Sequence, residues 1–240
     1  SDTTTSMTLS NAAIDENGAG LSVGNLTSYI DDIRSTDVFT YLLSGDGSDS
    51  FEVVDGELKL KEGVSADFET KSSYTLTVTA SSEGATASFD FTVSINDTND
   101  APTLANATVD QSVNEDSSLS FTVASDAFND VDVNDSLTYT ATLADDSALP
   151  SWLSFDASTL TFSGTPLNDN VGNISVKVTA TDGSSSTASD TFTLTISNVN
   201  DAPTAVNISS LGVPEKIDGA IVGAVTTTDE DSGDTHTYTV

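Results

Sequence analysis

One stretch of the chain occurs twice. Residues 96–103 read Asn-Asp-Thr-Asn-Asp-Ala-Pro-Thr and residues 197–204 read Ser-Asn-Val-Asn-Asp-Ala-Pro-Thr, which sets Pro102 and Pro203 101 residues apart. An alternating apolar and polar run precedes each copy, Phe89–Ile95 and Phe192–Ile196. A second such run lies before each of those, Tyr74–Ala80 and Ile174–Ala180. After each copy come a Glu (Glu115, Glu215), a short apolar run, an Asp-x-Asp (Asp130/Asp132, Asp229/Asp231) and a Tyr (Tyr139, Tyr238). So many elements recurring in one order mark tandem modules. Their boundaries fall at 1–100, 101–202 and 203–240, the last being the truncated start of a third module.

Period-two alternation broken by Gly, Asn, Asp and Ser is the pattern of short strands joined by turns. About seven such strands in roughly 100 residues fit an immunoglobulin-like Greek-key β-sandwich, so the expected class is all-β. The proline in each junction favours an extended connection without a helix. Thr237-Tyr238-Thr239 reads as the start of a strand, and the chain reads as an interior fragment of a longer protein.

Charge narrows the function. The chain carries 38 acidic and 6 basic residues, a formal net charge of −32. A Lys/Arg surface for phosphate contacts is lacking, which excludes ordinary nucleic-acid binding and disfavours anionic membranes. So much negative charge repels itself unless something neutralises it, and a divalent cation is the obvious neutraliser outside the cell. No cysteine is present, which favours a bacterial surface protein, or a cytosolic one, over a disulfide-bearing secreted protein. No apolar run reaches membrane-spanning length, and Ser1–Ser10 holds no signal-peptide core.

The motifs then permit a resemblance. Asp97-Thr-Asn-Asp-Ala-Pro102 resembles the linker of cadherin repeats, and Asp67-Phe-Glu69 resembles their Asp-x-Glu. Glu16 is similar to their amino-terminal Glu, and Ala180-Thr-Asp182 to their Ala-x-Asp. Leu149-Pro-Ser-Trp-Leu-Ser-Phe-Asp156, with Phe162-Ser-Gly-Thr-Pro166 and Gly172, resembles the dystroglycan-type cadherin-like variant. Acidic arrays without cysteine are similar to the stalks of giant bacterial adhesins. The resemblance implies tandem cadherin-like sandwiches joined by short calcium-binding linkers, on an extracellular, bacterial outer surface.

Calcium (Ca2+) takes about six to eight oxygen ligands, more than one strand supplies. At the first junction the expected ligands are Glu16, Asp67, Glu69, Asp97, Asn99, Asp100, Asp130, Asp132 and Asp182, holding more than one ion. At the second they are Glu115, Asn198, Asn200, Asp201, Asp229 and Asp231. There Asn198 replaces the acid of Asp97 and Asp-x-Glu is missing, although alignment of Tyr74 with Ile174 sets Asp169 where Glu69 stands. Fewer acids predict weaker binding at the second junction. Asp and Asn in linkers also make turns, but turn formation does not call for Glu16, Asp67 and Glu69.

Other signals carry less. His236 is the single histidine, which leaves no Ser-His-Asp or Cys-His arrangement, and no enzymatic role is expected. Trp152 reads as a core residue before a sugar platform, and Gly45-Asp-Gly-Ser-Asp49 as a hairpin turn. The expected role is calcium-dependent adhesion, with calcium stiffening neighbouring modules of the same chain. The alternative is a module face that itself binds a homophilic, protein or glycan partner.

Overall fold

The computed structural model describes residues 6–30, 33–34, 38–82, 85–133, 135–210, 212, 215–216, 218–231 and 233–239. The chain divides into two compact units, Ser1–Asp100 and Ala101–Val240. The fold is all-β, and the described residues form no α-helix, only two 3-10 turns at Ser48–Ser50 and Asn168–Asn170. No helix among them is long and apolar enough to cross a membrane.

The first unit is a sandwich of two sheets. Its strands are β1 (Ser6–Leu9), β2 (Ala13–Asp15), β3 (Ser22–Ile30), β4 (Ile33–Arg34), β5 (Thr40–Gly45), β6 (Phe51–Val54), β7 (Glu57–Leu60), β8 (Ser73–Ser82) and β9 (Ala85–Asn96). One sheet runs β1-β3-β7-β6, with β4 on β3, and the other β2-β9-β8-β5. The entering chain switches sheets, because β1 pairs antiparallel with β3 while β2 pairs parallel with β9. That switch carries the chain to Glu16 beside the end of the last strand. Gly45 and Gly47, at φ 93° and 74°, make the turn between β5 and β6, as a left-handed backbone requires.

The second unit holds β10 (Thr103–Leu104), β11 (Gln111–Asn114), β12 (Leu119–Thr122), β13 (Phe128–Asn129), β14 (Thr138–Leu143), β15 (Leu153–Asp156), β16 (Thr161–Gly164), β17 (Gly172–Thr181), β18 (Thr187–Ser197), β19 (Ala205–Ile208) and β20 (Val225–Thr228). Sheets β11-β18-β17-β14 and β12-β16-β15 face one another, β10 pairs with β13, and β11 pairs parallel with β18. Residues 203–240 belong to this unit and contribute the hairpin β19-β20. The strand expected from Thr237 does not form among the described residues. Its counterpart β14 is held by a later strand, β17, and pairing with such a partner is what fixes a strand.

Alternation explains the cores. Leu76, Val78 and Ala80 of β8 face inward and are buried, as are Val176, Val178 and Ala180 of β17, 100 residues on. Thr77 and Thr79 of β8, and Lys177 and Thr179 of β17, face out between them, so one face of each strand is apolar and the other wet. Phe162 anchors the second core, stacked on Phe121 with ring centroids 5.0 Å apart and edge-on to Phe192. Trp152 is half-buried against this core. A Cβ at Gly164 would lie 2.0 Å from the Trp152 carbonyl oxygen, so only glycine fits there.

Candidate metal centres

Acids gather at the ends of the sandwiches, where loops and linkers meet. In the first unit Glu16, Glu69 and Asp97 bring carboxylate oxygens within 4.8 Å of one another. Glu16 follows β2 and is 4% exposed. Its Oε2 accepts the Phe68 N–H at 2.7 Å and its Oε1 the Thr98 N–H at 2.8 Å. A charge so deeply placed needs such donors.

Asp67 stands outside that group, its oxygens turned onto the Thr70 N–H at 2.7 Å and hydroxyl at 2.9 Å. These bonds hold its carboxyl below the usual range, the backbone one contributing most. Asn99 donates to the Asp100 carbonyl at 2.8 Å, and Asn17 donates its side-chain amide to Asp100 Oδ1 at 3.1 Å.

Among the described residues the second unit has three such groups. Asp130, Asp135 and Asp182 converge within 4.8 Å near its start. Asp182 is buried and accepts the N–H groups of Ser184 at 2.9 Å and Ser186 at 2.8 Å. Asp130 accepts the Asp132 N–H at 3.0 Å, which closes the Asp-x-Asp turn. Oδ2 of Asp130 and Oδ2 of Asp135 are buried without a hydrogen-bond partner.

Glu115, Asp201 and Asp231 form the next group, and Asp229, Asp231 and Asp234 the third. Glu115 is 1% exposed. Its Oε1 accepts the Val199 N–H at 2.7 Å, while Oε2 has no hydrogen-bond partner, nor has Asp201 Oδ2. Asp231 accepts from Asn198 Nδ2 at 2.9 Å and from the Asp201 N–H at 2.5 Å, which lowers its carboxyl, the Asn198 bond first. Asp201 moves the other way. Removal from water, then the carboxylates of Asp116, Asp231, Glu115 and Asp229, push it up.

Asp229 Oδ1 accepts the Asp231 N–H at 3.0 Å, and its Oδ2 lies 3.5 Å from His236 Nε2. Asn200 repeats the Asn99 contact, donating to the Asp201 carbonyl at 2.8 Å. Asp169 lies on the Asn168–Asn170 turn, outside these groups.

Buried carboxylate oxygens without donors are costly, and a hard cation is what such a set accommodates. The donor chemistry, all carboxylate and carbonyl oxygen, fits calcium and not the nitrogen or sulfur ligation of zinc. The sequence expectation overlooked Asp135 and Asp234. Their signal is an Asp-x-Asp-x-x-Asp at 130–135 that recurs at 229–234.

Three comparisons bear on this architecture. A family model described as "Putative Ig domain" matches residues 101–197. Among solved structures, the EC1-2 fragment of human Protocadherin-24 matches at 20% identity and TM-score 0.56, over 82% of this chain and 98% of that one. Protocadherin Gamma B2 extracellular cadherin domains 1-5 match at 20% identity and TM-score 0.56, over 93% of this chain. The chain spans 46% of that longer ectodomain. No curated protein matches the sequence. The class the fold defines is an all-β chain of immunoglobulin-like units, similar in structure to cadherin ectodomain repeats.

Proposed function

We propose that the chain is part of an extracellular adhesion protein whose cadherin-like modules, 1–100, 101–202 and 203–240, are stiffened by calcium at their acidic ends. The observation that carries this is Glu115: a carboxylate 1% exposed, one oxygen unpartnered, meeting Asp201 and Asp231. Those three residues come from the strand end, the linker and the following repeat, so an ion shared among them ties the three segments together. Linked modules with small interfaces otherwise move freely.

Asp229, Asp234 and the linker Asn198 and Asn200 complete the ligand supply there. Glu16, Glu69, Asp97, Asn99 and Asp100, and separately Asp130, Asp132, Asp135 and Asp182, offer the same chemistry. Asp67 and Asp169 are placed with them by sequence alone. The module at 101–202 is of the dystroglycan type, and acidity without cysteine supports a bacterial adhesin stalk. The role is structural and not enzymatic. Solution scattering of the full chain tests it. Millimolar calcium is expected to give a larger, narrower distance distribution than chelator, and identical curves would end the proposal.

A second reading has its own support. A cavity of about 540 Å³ in the first unit is lined by Leu26, Ser28, Phe39, Tyr41 and Asp55 among others. Aromatic faces with hydroxyl and carboxylate neighbours suit a glycan or a partner side chain. Glycan-array binding that Tyr41→Ala abolishes would favour this reading over a purely structural role.

A further inference from the structure

The loops that carry Glu16 and Glu115 are built alike, and the residue after each Glu has a left-handed backbone. Asn17 has φ 64° and Asp116 φ 57°. Each anchors the same way, the Asn17 N–H to the Ala66 carbonyl at 3.1 Å and the Asp116 N–H to the Pro166 carbonyl at 2.8 Å. The linkers are likewise equivalent: Asp97 corresponds to Asn198, and Asp100 to Asp201. The two loops therefore differ by a crossed exchange. The first has Asn at 17 and Asp at 97; the second has Asp at 116 and Asn at 198.

Resting on the calcium reading, we propose that Asp116 supplies the second site with the negative charge that Asn198 withholds, so that this pair of positions carries one carboxylate in each unit, by different residues. Geometry gives the position its reach, since Asn17 Nδ2 contacts Asp100 Oδ1 at 3.1 Å. The equivalent pair in the second unit is Asp116 and Asp201. There two carboxylates stand at the positions that Asn17 and Asp100 hold in the first unit. Two carboxylates held close tolerate each other when a cation lies between them.

Asn198 fills a different task, donating to Asp231 at 2.9 Å and orienting it. The pocket they serve contains the unpartnered Oε2 of the buried Glu115. An exposed charge beside a buried ligand set tunes affinity without being part of the fold. Asn is also at ease in a left-handed backbone, so Asp116→Asn leaves the loop intact.

Calcium titration calorimetry on the full chain tests the exchange, using Asp116→Asn, Asn198→Asp and the double variant. Glu115→Gln identifies which binding phase belongs to this site. That phase is expected to weaken about tenfold in Asp116→Asn, to tighten in Asn198→Asp, and to return within about threefold of the parent in the double variant. A phase unchanged in Asp116→Asn, or a double variant as weak as Asp116→Asn, overturns the assignment. A parent chain that takes up no calcium, or a Glu115→Gln chain that keeps every phase, overturns the calcium reading itself.

Discussion

Glu16 and Glu115 occupy the same place in two successive modules and live in different surroundings. Both oxygens of Glu16 take backbone N–H groups, from Phe68 and Thr98. Glu115 keeps only the second of these, from Val199. Phe68 corresponds to Asn168, which lies in the Asn168–Asn170 turn, where the Leu167 N–H goes to Asn170 Oδ1 at 2.9 Å and Oε2 of Glu115 is left without a donor. Loss of the Asp-x-Glu motif therefore does more than remove ligands. It takes a donor from the buried Glu and leaves an oxygen with a cation as its natural partner. The first loop is satisfied by protein; the second leaves one carboxylate oxygen without a protein donor.

The largest effect expected from this contrast is on calcium uptake. Glu115→Gln should weaken its site about a hundredfold or more, read by calorimetry, because a neutral amide replaces a charged ligand. Stability in chelator should move in opposite directions for the two residues. Glu16→Gln should cost about 2 kcal/mol in denaturant melts, since two charge-assisted bonds to backbone are spoiled. Glu115→Gln should raise metal-free stability by about 1 kcal/mol, because the amide donates to the neighbouring acids in place of a buried unpaired charge. Equal losses in both variants would erase the distinction.

Gly164 sharpens a separate difference between the modules. Gly164→Ala should destabilise the second unit by about 3 kcal/mol through its collision with the Trp152 carbonyl, while the first unit melts as before.

Acid provides a gentler contrast. The raised carboxyl of Asp201 binds protons in the folded state above the ordinary value of 3.8. Metal-free stability of the second unit should thus increase as pH falls through that raised value. Asp67 behaves oppositely, its stabilisation being present above 3.8 and lost as pH falls through its lowered value. Melting curves in chelator from roughly pH 6 down to pH 3 read both windows.

The smallest effects belong to Lys71 with Asp46 and Lys177 with Asp146, surface pairs in the two units. Replacing either lysine by Met should cost about 0.5 kcal/mol and nothing at high salt.

Much of the fold was legible in the chain. Alternation at Tyr74–Ala80 and Ile174–Ala180 located β8 and β17, because a half-buried sheet imposes period two on its sequence. Trp152 was rightly assigned to the core from Leu149 and Phe155 around it. Thr237–Thr239 shows the limit of such reading. Strand propensity there matches β14, yet pairing is non-local and propensity cannot supply it.

Glu16, Asp67, Glu69 and Asp182 were expected from the resemblance to cadherin repeats, and Asp135 and Asp234 were not named at all. The linker acids and the Asp-x-Asp turns could be named because they recur in register. Which oxygen of Glu115 lacks a donor could not, because that depends on how residues 167–170 close. Asp116 was hidden for a related reason: an acid after a Glu in a chain with 38 acids is no signal until its loop is seen beside Asn17.

Crystals grown in millimolar calcium, with anomalous differences collected near the second linker, examine the central claim most directly. A peak ligated by Glu115 Oε2, Asp201 Oδ2 and an Asp231 oxygen at about 2.4 Å is the predicted result. Those oxygens hydrogen-bonded only to water, with no anomalous signal among them, would contradict it.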